Sequence, residues 1–182
     1  AFMADVWGRL TGTAGVCLST LGPGATNLMT GVADANLDKS PLVAITGQTG
    51  LRQIHKDSHQ YLDIVSLFRP ITKWNTAMSS PEAVAEAVRK AFKVAESEKP
   101  GAAHLELPED VAKMETSGRP IAVHRVRRPD PDQHALREAV ALISRANKPL
   151  VLAGNGAVRK PASDQLRECV SRCPMPIAHT FM

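Results

Sequence analysis

A short apolar strand followed by a glycine-proline elbow and a helix is the feature that most restricts the fold of this chain. Val16 to Ser19 predicts the strand, Gly22-Pro23-Gly24 the elbow, and Ala25 to Leu37 the helix. Open α/β folds bind their ligands where the carboxyl ends of the strands meet. A glycine-rich elbow before a helix often binds phosphate through free amides, but Pro23 has no N–H to donate. The elbow therefore favours a rigid wall against which a flat ring can lie.

Helical and extended patterns alternate through the first hundred residues. Leu42 to Thr46 is a continuous apolar run, typical of a strand that a parallel sheet buries on both faces. Ile71 to Trp74 and Ala102 to Leu107 predict two further strands. Between them, Ser80 and Pro81 have the residue types of a helix cap and a first helical position. This alternation predicts an α/β fold with a doubly wound, mostly parallel sheet and helices on both faces.

A stretch rich in proline and charge divides the chain. We expect a first domain over residues 1–112, a linker over 113–132 and the beginning of a second α/β domain over 133–182. The second part has too few residues to bury a full core alone. Its Gly154-x-Gly156 turn lacks the third glycine of a dinucleotide fingerprint, because Arg159 occupies that position. A nicotinamide-dependent oxidoreductase is therefore disfavoured.

Composition and charge exclude several classes of protein. The net charge is +4, and the basic cluster at 124–128 has no interleaved aromatic residues, so we expect no nucleic acid partner. No apolar run reaches the roughly 18 residues of a membrane span, and no signal peptide pattern opens the chain. Cys17, Cys169 and Cys173 form no disulfide framework. Even with His179, the last two cysteines fall short of the about four ligands of a zinc site. We expect a cytoplasmic location, no membrane association and no metal site within these residues.

Four motifs occur in an order that resembles a known enzyme family. They are the elbow run described above, PLVAITGQTG at 41–50, DSHQYLDIVSLFRPITKWN at 57–75 and PGAAHLELPEDV at 100–111. Together they resemble the pyrimidine-binding domain of thiamine-diphosphate enzymes of the acetolactate synthase family, from Ala1 to about Val111. The resemblance implies thiamine diphosphate as cofactor and a small 2-oxo acid as substrate. It also implies a homo-oligomer, because the family places its cofactor between two subunits.

The resemblance assigns cofactor-binding roles to five residues. Gly22, Pro23 and Gly24 would line the pyrimidine ring, and Asn27 would brace the elbow. The alternative is a plain helix start with Asn27 as a local cap. Gln48 follows the second strand and would face the same cleft.

His59 and Gln60 bear on catalysis and on the branch of the family. Many flavin-containing anabolic members have phenylalanine where this chain has His59, whereas His-Gln resembles the catabolic, flavin-independent branch, so the need for FAD stays open. An imidazole and an amide beside the reactive carbon would bind the substrate carboxylate and shuttle a proton. The alternative is a histidine in a surface loop. Glu109 stands where many anabolic members carry lysine, which leaves the subtype open.

Two parts of the family's machinery have no counterpart in these residues. The resemblance places the glutamate that bonds the aminopyrimidine ring just upstream of Ala1. It places the diphosphate and Mg²⁺ on a Gly-Asp-Gly motif of a later domain, and this sequence contains no such motif. We therefore expect a fragment that does not turn over by itself.

The resemblance leaves several activities open. The reaction we expect of the whole enzyme condenses two pyruvates to 2-acetolactate with loss of CO₂. Relatives on the same scaffold oxidise pyruvate, decarboxylate 2-oxo acids, ligate glyoxylate or transfer the acetyl group of sulfoacetaldehyde. A non-catalytic, truncated α/β assembly module is the alternative from a different class.

Overall fold

The computed structural model describes residues 1–123, 129–159 and 162–181. The chain divides into two compact units, residues 1–126 and 127–182. The basic cluster at 124–128 lies outside the described residues, and the domain limits at residues 112 and 133 stay a prediction. No helix among the described residues is long and apolar enough to cross a membrane.

The first unit contains five helices and four strands among its described residues. The helices are α1 (Phe2–Thr11), α2 (Pro23–Leu37), α3 (Ile64–Phe68), α4 (Val84–Glu96) and α5 (Glu109–Ala112). The strands are β1 (Gly15–Ser19), β2 (Leu42–Gln48), β3 (Trp74–Ala77) and β4 (Ala102–Pro108). Single 3₁₀ turns cover Leu51–Gln53, Arg69–Ile71 and Pro81–Ala83.

The four strands form one parallel sheet in the order β1-β2-β4-β3. The register pairs Ser19 with Thr46 and Gln48 with Pro108. The carboxyl ends of β1, β2 and β4 therefore lie at one edge of the sheet, where parallel α/β folds place their ligands. The predicted fold class, a mostly parallel α/β sheet, is confirmed.

Helices cover both faces of the sheet, and each face has its own apolar core. On one face Leu42, Ala44 and Ala102 pack with residues of α2 and α3. On the other face Val43 and Ala103 pack with the apolar stripe of α4. Because β2 and β4 are buried on both faces, their sequences are almost continuously apolar rather than alternating.

Two local predictions are wrong in detail. The strand expected at Ile71 to Trp74 begins instead at Trp74, because Pro70 lies in the 3₁₀ turn Arg69–Ile71 and has no N–H for a sheet ladder. Ser80 makes no side-chain cap, and the 3₁₀ turn Pro81–Ala83 precedes α4.

The second unit carries two helices and a small parallel sheet among its described residues. They are α6 (Gln133–Arg145), β5 (Val151–Ala153), α7 (Ala162–Arg172) and β6 (Ile177–His179), with a 3₁₀ turn at Asn155–Val158. The Asp132 carboxylate caps α6 by accepting a hydrogen bond from the Ala135 N–H at 2.8 Å.

Candidate functional site

A cleft of about 520 Å³ lies at the carboxyl edge of the sheet. Residues 18–21, at the end of β1 and just after it, and residues 45–48, at the end of β2, form two of its walls. Leu107 lies at the end of β4, and Glu109 lies just after it. The cleft therefore occupies the position in which a ligand of an open parallel sheet is expected.

The elbow before α2 adopts a backbone conformation that requires glycine. Gly22 is the N-cap of α2 with φ of +56°, and Pro23 is the first helical residue. A Cβ on Gly22 would lie 2.5 Å from the backbone oxygen of Gln60, and a Cβ on Gly24 would lie 2.6 Å from Thr20 Cγ2. Both glycines therefore permit close approach of neighbouring groups, and Gly22 also permits a φ that other residues rarely adopt.

The start of α2 excludes one of the two interpretations of Asn27. Gly22 caps the helix without a side-chain hydrogen bond, and the helix begins at Pro23 rather than at Ala25. Asn27 is exposed within the helix, so the alternative in which Asn27 caps the helix start is wrong. Its proposed bracing role stays a prediction.

The segment that carries His59 and Gln60, residues 57–63 (the 57–63 loop), passes directly over the elbow. Gln60 has φ of +59°, and its backbone contacts Gly22 as described above. The side chains of His59 and Gln60 are exposed. The hydroxyl of Ser58 is buried and has no hydrogen-bond partner among the described residues. The structure thus brings Gln60 to the elbow and places His59 next to it in the chain.

Gln48 lines the cleft, but its amide is bonded inside the protein. Its Oε1 accepts a hydrogen bond from the Thr49 N–H at 3.0 Å. Its Nε2 donates to the Leu62 carbonyl at 2.8 Å and to Glu106 Oε2 at 3.1 Å. The side chain thus connects the end of β2 to the 57–63 loop and to β4.

Glu106 is a polar residue of this region that the sequence reasoning missed. It lies in β4 and is only 4% exposed. Burial raises the pKa of its carboxyl group above the ordinary value, the hydrogen bond from Gln48 partly opposes this shift, and the charge of Asp63 adds to it. A glutamate within the apolar run of β4 was the available signal, because charged residues are seldom fully buried without a partner.

Glu109 lies at the cleft as the first residue of α5. Its Oε1 forms an ion pair with Lys113 Nζ at 2.5 Å, one helical turn away, and both side chains are exposed. Such exposed pairs contribute little to stability. Glu109 therefore presents a carboxylate rather than a cation at this end of the sheet.

Within residues 1–123, 129–159 and 162–181, no group of three or more His, Cys, Asp or Glu side chains is placed to hold a metal ion. All three cysteines are free, with Cys17 half-buried and Cys169 and Cys173 exposed. Burial raises the pKa of the Cys17 thiol, which makes it a poor nucleophile.

Two family profiles match this chain. Residues 1–67 match the family described as "Thiamine pyrophosphate enzyme, N-terminal TPP binding domain". Residues 136–182 match "Thiamine pyrophosphate enzyme, central domain". The first match contains the elbow and the 57–63 loop.

Several proteins that are similar to this chain along nearly its whole length are described as acetolactate synthases. A probable acetolactate synthase large subunit of Methanocaldococcus jannaschii is 39% identical, with 100% of this chain and 32% of that protein covered. An acetolactate synthase of Mycobacterium bovis is 39% identical over 98% of this chain and 30% of that protein. An acetolactate synthase large subunit of Corynebacterium glutamicum is 37% identical over 98% of this chain and 29% of that protein. The chain thus spans about a third of the length of these relatives.

Proposed function

Because this chain belongs to the thiamine pyrophosphate (thiamine diphosphate) enzymes, as its four motifs predict and the two matched domains confirm, we propose that it forms part of a carboligase. The reaction joins two pyruvates into 2-acetolactate and releases CO₂. One observation carries the proposal: the elbow at Gly22 meets Gln60 beside the cleft, in a chain 37–39% identical to acetolactate synthases.

The elbow and the cleft fit the pyrimidine ring of thiamine diphosphate. The elbow directly follows Leu21, which lines the cleft, and its exposed residue Pro23 has no amide N–H, so the exposed part of the elbow offers a surface with few donors. Leu18, Leu21 and Leu107 contribute apolar surface to the cleft. Mostly apolar pockets with a few polar groups are typical of cofactor sites. When bound, the cofactor supplies the electron sink that decarboxylation of a 2-oxo acid requires.

We propose a role for each of this chain's own candidate residues. Gly22, Pro23 and Gly24 orient the ring, and Asn27 braces the elbow. His59 and Gln60 have exposed side chains in the loop whose backbone meets the elbow; there we propose that the amide binds the substrate carboxylate and the imidazole accepts and donates a proton.

Further parts of the proposal rest on the resemblance alone. By that resemblance, the glutamate that bonds the aminopyrimidine ring has no counterpart in these residues, and Mg²⁺ accompanies the diphosphate on a motif that this sequence lacks. His59 favours a flavin-independent enzyme. We extend the proposal to a homo-oligomer that works in the cytoplasm.

The decisive experiment measures the products formed from pyruvate by the longer enzyme that contains this chain. With thiamine diphosphate and Mg²⁺ present, we expect acetolactate to form together with an equimolar amount of CO₂, and activity to continue without added FAD. Acetaldehyde or acetyl phosphate as the main product would instead assign the chain to a decarboxylase or an oxidase. Dependence on FAD would contradict the flavin-independent assignment.

A further inference from the structure

The amide of Gln48 is the link between the sheet and the 57–63 loop. Gln48 is 3% exposed, and all three of its hydrogen bonds are made within the protein. One is with the adjacent Thr49 N–H and one is with Glu106 in β4, whereas the third is with the Leu62 carbonyl. Leu62 lies two positions after Gln60 in the chain.

The carboxyl group of Glu106 is one of three neighbours that together determine which way this amide faces. An ionised carboxylate only accepts hydrogen bonds, so it attracts the NH₂ side of the Gln48 amide. With the NH₂ side held at Glu106, the same nitrogen also donates to Leu62, and the amide oxygen is left for the Thr49 N–H. If the amide turned over, its oxygen would oppose the Leu62 carbonyl and its nitrogen would oppose the Thr49 N–H. Only one orientation satisfies all three neighbours.

The position of the loop in turn determines the contact at the elbow. The backbone oxygen of Gln60 lies against Gly22, and no other residue type at position 22 would leave room for it. At the other end of the segment, the Leu51 N–H donates to Asp110 Oδ2 at 2.8 Å. The chain between Leu51 and Leu62 is thus attached to the sheet region at both ends, and the Gln48 bond is the attachment nearer to Gln60.

We propose that Glu106 is a positioning residue for the candidate site. It acts through the Gln48 amide on the Leu62 backbone, and this contact fixes the loop that carries His59 and Gln60. The assignment rests on the proposed function, because positioning matters only if those two side chains contact the substrate. It differs from the expectation that Gln48 itself faces the ligand, since the Gln48 amide is already bonded.

The test compares three variants of the enzyme that contains this chain. Glu106→Leu removes the acceptor for the Gln48 amide. Glu106→Gln keeps a side-chain oxygen that can accept the same bond, and it serves as the conservative rescue. His104→Leu is the matched control, because His104 is also buried in β4 but contacts Thr46 and Phe68 rather than the 57–63 loop.

The first readout is trypsin cleavage after Arg52 and Lys56, which are exposed in the segment before the loop. We expect Glu106→Leu to accelerate this cleavage about ten-fold, because a released segment opens locally without global unfolding. Glu106→Gln and His104→Leu should leave the rate at the wild-type value. Gln48→Leu is the second disruptive variant, and it should accelerate the same cleavage if Glu106→Leu fails to fold.

The second readout is steady-state turnover of pyruvate at saturating cofactor. We expect kcat to fall about ten-fold or more in Glu106→Leu, since small misplacements of groups near the reacting atoms have effects of that size. His104→Leu should change the melting temperature but not kcat or KM.

The proposal is overturned if Glu106→Leu lowers only the melting temperature, or if Glu106→Gln is as impaired as Glu106→Leu. A wild-type enzyme that forms no acetolactate would overturn the proposed function instead. In that case the cleavage rates would still decide whether Glu106 fixes the loop.

Discussion

Two glycines of the first unit have positive φ but differ in what surrounds them. Gly22 has φ of +56° and touches the Gln60 backbone, whereas Gly12 has φ of +70° and a Cβ there would meet nothing within 4 Å. Replacing Gly12 therefore costs only the unfavourable φ, whereas replacing Gly22 costs both the unfavourable φ and a collision. At the scale of single residues, Gly22 is therefore the most restricted position of the candidate site.

Replacement of Gly22 tests this restriction. We expect Gly22→Ala to lower the unfolding free energy by about 1–3 kcal/mol, because both the strained φ and the collision with a backbone atom oppose the alanine. It should also weaken binding of thiamine diphosphate. Gly12→Ala is the control: it should cost about 1 kcal/mol, from the φ alone, and leave cofactor binding unchanged. Urea unfolding and a cofactor titration measure the two effects, and equal losses in both variants would contradict the prediction.

His104 predicts how stability depends on pH. Its ring stacks on Phe68 and bonds Thr46, and burial lowers its pKa from 6.5 to about 4. Between pH 6.5 and pH 4, His104 is therefore protonated in the unfolded chain but neutral in the folded chain. Stability is complete above pH 6.5 and falls as the pH drops toward 4. We expect His104 to contribute a loss of roughly 2 kcal/mol between pH 7 and pH 5. Urea unfolding at both pH values should show this loss in the wild type and a smaller one in His104→Leu.

The guanidinium group of Arg9 links helices α1 and α2 by ion pairs. Arg9 of α1 forms ion pairs with Asp5 of its own helix and with Asp34 and Asp38 of α2. Hydrogen bonds to Asp5 and, to a lesser extent, to Asp38 raise the pKa of Arg9 above its already high value. Asp5 is buried, whereas the Asp34 side chain is about half exposed. The two carboxylates therefore depend on Arg9 to different degrees.

The two partners of Arg9 should respond differently to mutation. We expect Arg9→Met to destabilise the first unit by about 3 kcal/mol, because it leaves the carboxylate of Asp5 buried without its cation. Asp34→Asn should cost less than about 1 kcal/mol, as is usual for exposed pairs. Thermal unfolding of both variants gives the comparison. A larger loss from Asp34→Asn than from Arg9→Met would contradict it.

Strands whose own sequence is a distinct apolar run could be predicted. Which strands and loops lie beside them in the fold could not. β2 and β4 are apolar runs with clear ends, so their sequences predict them. The adjacency of β2 to β4, and with it the bond between Gln48 and Glu106, depends on a register between residues 58 positions apart. The contact of Gln60 with Gly22 has the same origin, since no local pattern shows which loop covers the elbow.

At the scale of the whole molecule, the first unit exposes apolar side chains on α1 and β1. Met3 and Leu10 are 89% and 81% exposed, and Leu18 is 73% exposed on a strand at the edge of the sheet. Apolar surface of this kind, beside an unpaired strand edge, favours association.

The 182-residue polypeptide alone should therefore self-associate. It should also not turn over pyruvate, because its sequence has no Gly-Asp-Gly motif for the diphosphate. Sedimentation velocity over a range of concentrations measures the association, and Met3→Glu with Leu10→Glu should reduce it. The doubly substituted chain should keep its helical circular dichroism, since both side chains are exposed. A wild-type polypeptide that stays monomeric at high concentration, or that forms acetolactate, would contradict these expectations.

The contact between Gly22 and Gln60 also indicates where enzyme engineering has freedom. Gly22 meets the main chain and the Cβ of Gln60, and Gln60 is an exposed residue. A combinatorial library at position 60 can therefore vary the exposed part of this side chain while the elbow keeps its shape. Asparagine and glycine tolerate the left-handed backbone there with the least strain, and branched residues such as valine do not. Position 60 is thus open to side-chain variation, whereas the positive φ of Gly22 and its contact with Gln60 strongly favour glycine at position 22.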